Sequence, residues 1–375
     1  MQSRQPRYRR PGGPVSTAPA APITPPDALV YAQARSRSDA QAKPLGALGR
    51  LEELGCWIAA CQGVCPPEPL DDVRVVVFAG DHGVSEHGVS AYPAAVTTAI
   101  VAAVAAGRAG INAIAGAHGV RVRAVDVACR DDIPGSDASG APIGAHKIRR
   151  SSEPLHLRDA ITLAEAQAAL ALGDAVAAQE IADGAQLLIV GDVGIGNTTP
   201  AAALIAASYG LPAATVTGRG TGLDDAGLAA KTELIATALT RVGDRAADPL
   251  TRLAALGSAD LAAAVGFVMG AARRGVPLIV DGVIAAAEAT LAEALQPGTA
   301  AWLRAGHLSP EPACAIALER LGLEPILALG MRLGEGTGAV TAVPIVRTAV
   351  AVQRDLAALA DLVAQPHPQP EPARA

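Results

Sequence analysis

Short apolar segments recur along the middle of the chain and predict β-strands that are covered on both faces. They are Val73–Ala79, Val120–Val127, Leu187–Val190, Ala214–Thr217, Pro277–Val280 and Pro325–Leu329. Alanine-rich segments of helical character lie between them, at Thr162–Ala182, Pro200–Tyr209, Leu228–Arg241 and Ala259–Ala272. This alternation is typical of βαβ units, so we predict an α/β fold with a mostly parallel sheet flanked by helices.

The two ends of the chain differ from this middle part. Residues 1–26 are rich in Pro, Arg, Ala and Ser, and residues 365–375 alternate proline with polar residues. Both compositions predict disorder, with a polyproline-like character in the tail. Ser38–Ala60 and Val346–Val363 are predicted to be helical, and we expect them to pair with each other.

Composition narrows the classes of function. Half the residues are hydrophobic, but only two Trp, four Tyr and two Phe are present, so the core must consist of small aliphatic side chains. The net charge is -6 without a large basic block, which argues against a nucleic-acid groove. Apolar runs are interrupted, as at Gly107–Arg108, and no secretory signal is visible, so we predict no membrane span. An odd number of cysteines, five, indicates reduced thiols and a cytoplasmic protein.

Two groups of residues could suggest a metal. Cys56, Cys61 and Cys65 lie close in sequence, but without a C-x-x-C pair partly buried thiols on a helix are favoured over zinc. His82 and His87 are five residues apart in a glycine-broken loop that also holds Asp81 and Glu86. Because they share no helical face, we favour loop ordering or a substrate contact, and we predict no metal and no cofactor.

Glycine-rich loops follow several of the predicted strands. They are Gly80–Gly83, Gly191–Thr199, Gly218–Gly222, Asp281–Gly282 and Gly330–Gly338. In parallel sheets ligands bind at the carboxyl ends of strands, and loops without Cβ atoms let backbone N–H groups approach a ligand closely. The repetition predicts an anionic, phosphorylated ligand at this edge.

The loop Gly191–Thr199 is the main phosphate candidate. Its glycines could form a ring of N–H donors, and Asn197, Thr198 and Thr199 could cap the helix that Pro200 begins. The N-terminus of that helix would favour an anion. The loop is neither a Walker A motif nor a dinucleotide fingerprint. The alternative is an ordinary, well-capped strand–loop–helix turn.

Acidic residues supply the candidates for catalysis. Glu335 lies between Gly334 and Gly336, and partial burial there would raise its pKa and make it a general base. The alternative is a surface carboxylate in a loop. For Asp224 and Asp225 we favour helix capping over catalysis.

These motifs together resemble the nicotinate-nucleotide–dimethylbenzimidazole phosphoribosyltransferase family. The resemblance runs from about Lys43 to Pro344. Its further motifs are Lys43–Glu52, Ala79–Val84, Ser90–Pro93, Gly110–Ala113, Gly218–Gly222 and Arg332–Gly338. It implies a homodimer in which residues 71–344 form a Rossmann-like catalytic domain, while 27–70 and 345–364 form a small helical domain.

The resemblance also implies roles for individual residues. Glu335 is the expected general base, and Asp192 is a second acidic residue of the site. The expected phosphate and nucleotide ligands are Gly194, Ile195, Gly196, Asn197, Thr198, Gly218, Arg219, Gly220, Lys231 and Ser309. Lys231, which by itself would be read as a surface helix residue, is expected to reach the partner subunit's site. Ser90, Tyr92, Met331 and Leu333 are expected to line the pocket for the aromatic base.

The implied reaction transfers the phosphoribosyl group of nicotinate mononucleotide to 5,6-dimethylbenzimidazole or a related aromatic base. Thr98 and Ala99 stand near the position of a family glutamine, and Ala313–Cys314 replace a family Gly-His, so the identity of the base stays open. Two alternatives differ in class: a magnesium-dependent diphosphate-using phosphoribosyltransferase, and a non-catalytic nucleotide-binding protein.

Overall fold

The computed structural model describes residues 21–136, 140 and 142–363. The strands in this part of the chain are β1 (Val73–Gly80), β2 (Val120–Ala128), β3 (Leu187–Val193), β4 (Leu278–Val280), β5 (Leu303–His307) and β6 (Pro325–Leu327). They form a six-stranded, wholly parallel sheet in the order β2-β1-β3-β4-β5-β6. The predicted α/β class with a parallel sheet is confirmed.

Helices connect the strands and cover the sheet. They are α1 (Ala28–Ala40), α2 (Arg50–Gln62), α3 (Val96–Ala105), α4 (Gly110–Ala117), α5 (Leu163–Ala182), α6 (Thr198–Tyr209), α7 (Ala213–Val216), α8 (Asp225–Val242), α9 (Pro249–Leu256), α10 (Ala259–Arg273), α11 (Val283–Leu295), α12 (Pro312–Leu321), α13 (Thr337–Asp355) and α14 (Leu359–Val363). The four alanine-rich helices predicted from the sequence are confirmed as α5, α6, α8 and α10. The predicted helix over Ser38–Ala60 is two helices, because the chain turns between α1 and α2.

One strand prediction was wrong, and one strand was not predicted. Ala214–Thr217 forms the short helix α7, closed by the Thr217 hydroxyl, which donates to the Ala213 carbonyl at 2.7 Å. Conversely, β5 was missed because its Arg304 and Gly306 break the apolar pattern. Arg304 lies over the Trp57 ring at 4.2 Å. Gly306 lets α13 approach, since a Cβ there would lie 2.5 Å from the Ala339 Cα.

The small aliphatic core allows very close packing on both faces of the sheet. On one face Val76, Phe78 and Leu188 pack against the layer that contains α5 and α10. A Cβ at Gly173 in α5 would lie 1.7 Å from the Ala263 carbonyl oxygen of α10, so these helices touch through their backbones. On the other face Val75 packs against the layer that contains α4 and α13.

The ends of the described chain meet each other. Gln41, just after α1, donates to the Val352 carbonyl of α13 at 2.7 Å, and Gln353 donates to the Cys56 Sγ of α2 at 3.3 Å. The expected boundary between residues 344 and 345 falls inside α13, which runs from the glycine loop to this contact. A separate small helical domain stays a prediction.

The predicted terminal segments are mostly outside the described residues, which leave out 1–20 and 364–375. Residues 21–26, which were expected to be disordered, instead lie against the body of the protein. The Ile23 N–H donates to the Pro297 carbonyl at 2.8 Å, and the Trp302 indole donates to the Thr24 carbonyl at 2.9 Å. These contacts order the end of the extension.

One apolar stretch, Val96–Ala117, has the length and hydropathy of a membrane span if it is taken as one helix. The structure divides it into α3, of 10 residues, and α4, of 8 residues. Each helix is shorter than the roughly 20 residues that a span requires. Val101, Val104 and Ile111 of these helices are buried in the core.

Candidate active site

A cleft of about 580 Å³ opens at the carboxyl edge of the sheet, over the ends of β3, β4 and β5. The chain first places β2 on one side of β1 and then crosses to β3 on the other side. Ligands of open parallel sheets bind near such a reversal of strand order. The cleft is lined by most of the residues predicted from the sequence: Ser90, Tyr92, Asp192, Gly194, Ile195, Gly196, Asn197, Thr198, Gly220, Ser309, Leu333 and Glu335.

Glu335 has a left-handed backbone conformation, with φ of 63° between Gly334 at 85° and Gly336 at 89°. Such a conformation costs a non-glycine residue about 1–3 kcal/mol and persists only where its surroundings enforce it. Asp281, at the end of β4, accepts hydrogen bonds from the Gly336 and Ala339 N–H groups at 3.2 and 2.9 Å. It thereby caps α13 and holds the loop that presents Glu335.

The Glu335 carboxylate is buried, with 7% of the residue exposed. Burial raises its pKa and nearby Asp281 adds to this rise, while the hydrogen bond from the Ile111 N–H opposes it. The net direction is upward from the ordinary value. A glutamate with a raised pKa at the wall of a cleft fits the role of general base.

Asp192 lies within β3 and not in the loop that follows it. Its Oδ1 accepts a hydrogen bond from the Asn197 side-chain amide at 2.7 Å. Burial, followed by the neighbouring Asp260 carboxylate, raises the pKa of Asp192 well above its ordinary value. The side chain therefore retains a proton at a pH where an exposed aspartate is ionised.

His82 and Asp260 lie beneath Asp192. The His82 Nε2 is 3.2 Å from an Asp260 carboxylate oxygen, and both side chains are buried. Ligand-type atoms of His82, Asp192 and Asp260 lie within 4.8 Å of one another, close enough to hold a small cation. His87 instead packs edge-on against His156, with ring centroids 4.5 Å apart. His82 and His87, which the sequence analysis considered as a pair of metal ligands, therefore have different surroundings.

The predicted phosphate loop begins at Gly194, after the end of β3. A Cβ at Gly194 would lie 2.2 Å from the Gly80 carbonyl oxygen, so only glycine fits against β1. The Ile195 N–H donates to the Thr97 hydroxyl at 3.1 Å, and the Asn197 N–H donates to the Gly194 carbonyl at 3.1 Å. These two N–H groups therefore stabilise the loop and do not point to a ligand. The first turn of α6 and Thr198 line the cleft instead.

Lys231 lies behind this loop in the same chain. Its ammonium donates to the Thr198 hydroxyl at 2.8 Å and to the Gly218 carbonyl at 3.1 Å. Both contacts are within one chain, and the expected role at a partner subunit's site stays a prediction. Burial lowers the pKa of Lys231 to about 8, and Glu311 acts in the opposite direction.

Three other predicted site residues do not line the cleft: Gly218, Arg219 and Met331. Gly218 is packed against Glu311, whose carboxylate oxygen would be 2.1 Å from a Cβ there. Arg219 binds the Asp225 carboxylate and the Leu223 carbonyl on the outer side of its loop. Asp224, as expected, caps α8 by accepting from the Gly227 N–H at 2.8 Å.

The other wall of the cleft is largely apolar. Val89, Val96 and Ile100 line it together with Tyr92 and Leu333, which are 55% and 58% exposed. Such a wall suits a flat aromatic ring. Thr221 closes this side, because its hydroxyl accepts from the Ala91 N–H at 2.9 Å and pairs with the Ser90 hydroxyl at 3.1 Å.

The lining residues that were missing from the predicted site include Thr221, Asp281, His307 and Glu311. A signal for Asp281 was present, because it directly follows a predicted strand. Thr221 lay inside a glycine loop that the sequence had singled out. His307 ends the missed strand β5, so the apolar pattern did not indicate it. Glu311 directly precedes Pro312 and the Ala313–Cys314 pair that replaces the family Gly-His, but it had been given no role.

The amino-acid sequence is similar to those of known phosphoribosyltransferases. A phosphoribosyltransferase family model matches residues 23–362. The chain is 52% identical over 340 residues to nicotinate-nucleotide–dimethylbenzimidazole phosphoribosyltransferase of Mycolicibacterium paratuberculosis, covering 91% of this chain and 96% of the relative. The corresponding Mycobacterium marinum enzyme is 50% identical, with 91% and 94% covered.

A solved structure shows the same fold. The crystal structure of CobT from Thermus thermophilus superposes with a TM-score of 0.85 at 42% identity, covering 90% of this chain and 99% of that one. The chain therefore belongs to the nicotinate-nucleotide–dimethylbenzimidazole phosphoribosyltransferase family.

Proposed function

We propose that this enzyme transfers the phosphoribosyl group of nicotinate mononucleotide to 5,6-dimethylbenzimidazole. The products are nicotinate and α-ribazole 5′-phosphate, the nucleotide used to assemble the lower ligand of cobalamin. The buried Glu335 carboxylate is the observation that best supports this function. It lies at one wall of a cleft whose other parts offer a phosphate loop and an apolar surface.

The bond changes follow from the substrates. In nicotinate mononucleotide the glycosidic nitrogen is part of a pyridinium ring. As the bond to C1′ breaks, its electron pair neutralises that ring, so nicotinate leaves without help from a metal. An imidazole nitrogen of the base forms the new bond to C1′ from the opposite face. Glu335 accepts the proton of the other ring N–H, which prevents positive charge from remaining on the base.

The remaining side chains bind and orient. The Thr198 hydroxyl, the first turn of α6, Ser309 and the nearby Lys231 ammonium suit the 5′-phosphate. The wall of Val96, Ile100 and Leu333 suits the benzimidazole ring. Fixing both reactants next to each other accounts for a large part of the acceleration of a two-substrate reaction.

Asp192 is proposed to act in its protonated form. A neutral carboxyl group can donate a hydrogen bond to substrate without adding a second negative charge to the cleft that holds Glu335. Asn197, which donates to Asp192, orients this carboxyl group towards the cleft floor.

A homodimer that works in the cytoplasm is also proposed. The exposed apolar side chains Tyr92 and Leu333, which line the cleft, support an interface at its mouth. All five cysteines are unpaired, and four of them are buried. Light scattering after size-exclusion chromatography tests the dimer.

The second candidate is a phosphoribosyltransferase that prefers a different azole or a phenol. Thr98 and Ala99 stand near the position of a family glutamine, and the neighbouring Ile100 lines the wall that suits the ring. The deciding experiment incubates the enzyme and nicotinate mononucleotide with a panel of azoles and phenols and identifies products by mass spectrometry. Dimethylbenzimidazole should give the highest kcat/KM. A preferred phenol would contradict the proposed base, and no transfer to any acceptor would contradict enzymatic function.

A further inference from the structure

We propose that Glu311 is a positioning residue of the phosphate site, which holds the Gly218–Gly222 loop against the cleft and keeps the buried Lys231 ammonium charged. The proposal rests on the proposed function of this cleft in binding the 5′-phosphate. Glu311 has no role in the reaction proposed for this cleft.

The Glu311 carboxylate is locked onto the loop from one side. Its Oε1 accepts a hydrogen bond from the Gly220 N–H at 2.8 Å. The other oxygen is so close to Gly218 that a Cβ there would lie 2.1 Å from it. The contact therefore requires both the carboxylate and a residue without a side chain.

The Lys231 ammonium contacts the same loop from the other side. It donates to the Gly218 carbonyl at 3.1 Å and to the Thr198 hydroxyl at 2.8 Å. A Cβ at Gly220 would lie 3.4 Å from the ammonium and 3.0 Å from the Thr198 hydroxyl oxygen. The loop backbone thus runs between a carboxylate and an ammonium, with an N–H facing the negative group and a carbonyl facing the positive one.

This arrangement matters because Lys231 is almost completely buried, with 1% exposed. Around it lie α6, with Thr198, the loop with Gly218 and Gly220, and the start of α12. Among the described residues, Glu311 is the charged group that acts on Lys231. Asp225, on the same helix as Lys231, is instead paired with Arg219 at 2.5 Å. Removal of the Glu311 charge leaves the ammonium with only neutral neighbours until the phosphate arrives.

The experiment measures the Kd of nicotinate mononucleotide by calorimetry from neutral to alkaline pH for the wild type and three variants. Because the pKa of Lys231 is about 8, wild-type affinity should fall as the pH rises through that range. Glu311→Gln should weaken binding about tenfold at neutral pH and move this fall to lower pH. Glu311→Asp should keep the wild-type midpoint, because the charge remains, although binding weakens.

Lys231→Arg should remove the alkaline fall altogether, since a guanidinium does not titrate in this range. Glu319→Gln, an exposed carboxylate on the same helix α12, is the matched control and should behave like the wild type. Circular dichroism shows whether each variant is folded.

Unchanged or tighter binding by Glu311→Gln, or loss of affinity with an unchanged midpoint, overturns the inference. If Glu311→Gln does not fold, the midpoint in Glu311→Asp decides: a midpoint lower than that of the wild type contradicts the proposal, because the charge is still present. Absence of any binding by the wild type contradicts the proposed function instead, so the two failures are distinguishable.

Discussion

The Glu335 Oε2 accepts a hydrogen bond at 3.0 Å from the backbone N–H of Ile111, in the first turn of α4. N–H groups in a first turn have no partner within their helix, and the helix dipole favours a negative charge there. Burial acts against that charge. The proposed base is therefore held in one orientation, and its pKa lies above the ordinary value of a glutamate, which favours acceptance of a proton during turnover.

Glu335→Gln should bind nicotinate mononucleotide normally and lose turnover by about 10²-fold or more, because the amide keeps the shape and cannot accept the proton. The wild-type rate should fall on the acid side at a pH above the ordinary pKa of a glutamate, since burial raises the pKa of Glu335. Steady-state kinetics across pH tests both statements. Near-normal turnover by the variant would transfer the role of base to Asp192.

The same substitution should stabilise the protein at neutral pH. An acid whose pKa is higher in the folded state destabilises that state as the pH rises past the unfolded pKa, because the unfolded chain releases its proton first. Glu335→Gln removes this penalty. Thermal unfolding should give a higher Tm for the variant at neutral pH and a much smaller difference in acid. Equal differences at both pH values would show that the charge is not the cause.

Gly191→Ala should reduce kcat without preventing folding. A Cβ at this position in β3 would lie 2.4 Å from the Glu335 carbonyl oxygen, so the loop that carries the base must move. Displacement of a catalytic group by about 1 Å can cost about 10²-fold in rate. The control is Gly116→Ala in α4, where nothing lies within 4 Å of the added methyl group. A Gly191→Ala enzyme as active as the Gly116→Ala enzyme would contradict this account.

Enzyme stripped of metals with EDTA should keep its activity. The pyridinium leaving group needs no metal, and the His82 Nε2 already has the Asp260 carboxylate at 3.2 Å. Activity that disappears with the chelator and returns with one cation would assign that cation to His82, Asp192 and Asp260. Metal analysis of the untreated protein would then identify it.

Lys231→Ala should raise the KM for nicotinate mononucleotide far more than the KM for the base. A charged contact to phosphate is worth about 1.5–3 kcal/mol. Because Lys231 contacts its own chain's loop, mixed dimers of Lys231→Ala and Glu335→Gln subunits would have a defect in each site. Co-refolding the two variants should therefore restore no activity. Recovery of activity would show that Lys231 serves the partner subunit.

The sequence pattern was sufficient for the elements that are regular and locally specified. Short segments rich in valine, leucine and isoleucine predicted β1, β2 and β3, and helices such as α5 carry their own capping signals. It failed for β5, where Arg304 and Gly306 are accommodated only by Trp57 and α13. It failed also for α7, since a short apolar run fits a buried helix as well as a strand.

By itself, then, the sequence determined the parallel α/β class, the glycine-rich edge, and the family through its ordered motifs, because these depend on residues that are neighbours in the chain. The tertiary structure alone decided that Asp281 caps α13, that Glu335 meets Ile111, and that Glu311 and Lys231 enclose one loop. Each of those contacts joins residues far apart in sequence, and the pKa shifts of Glu335, Asp192 and Lys231 arise from burial that no local pattern records.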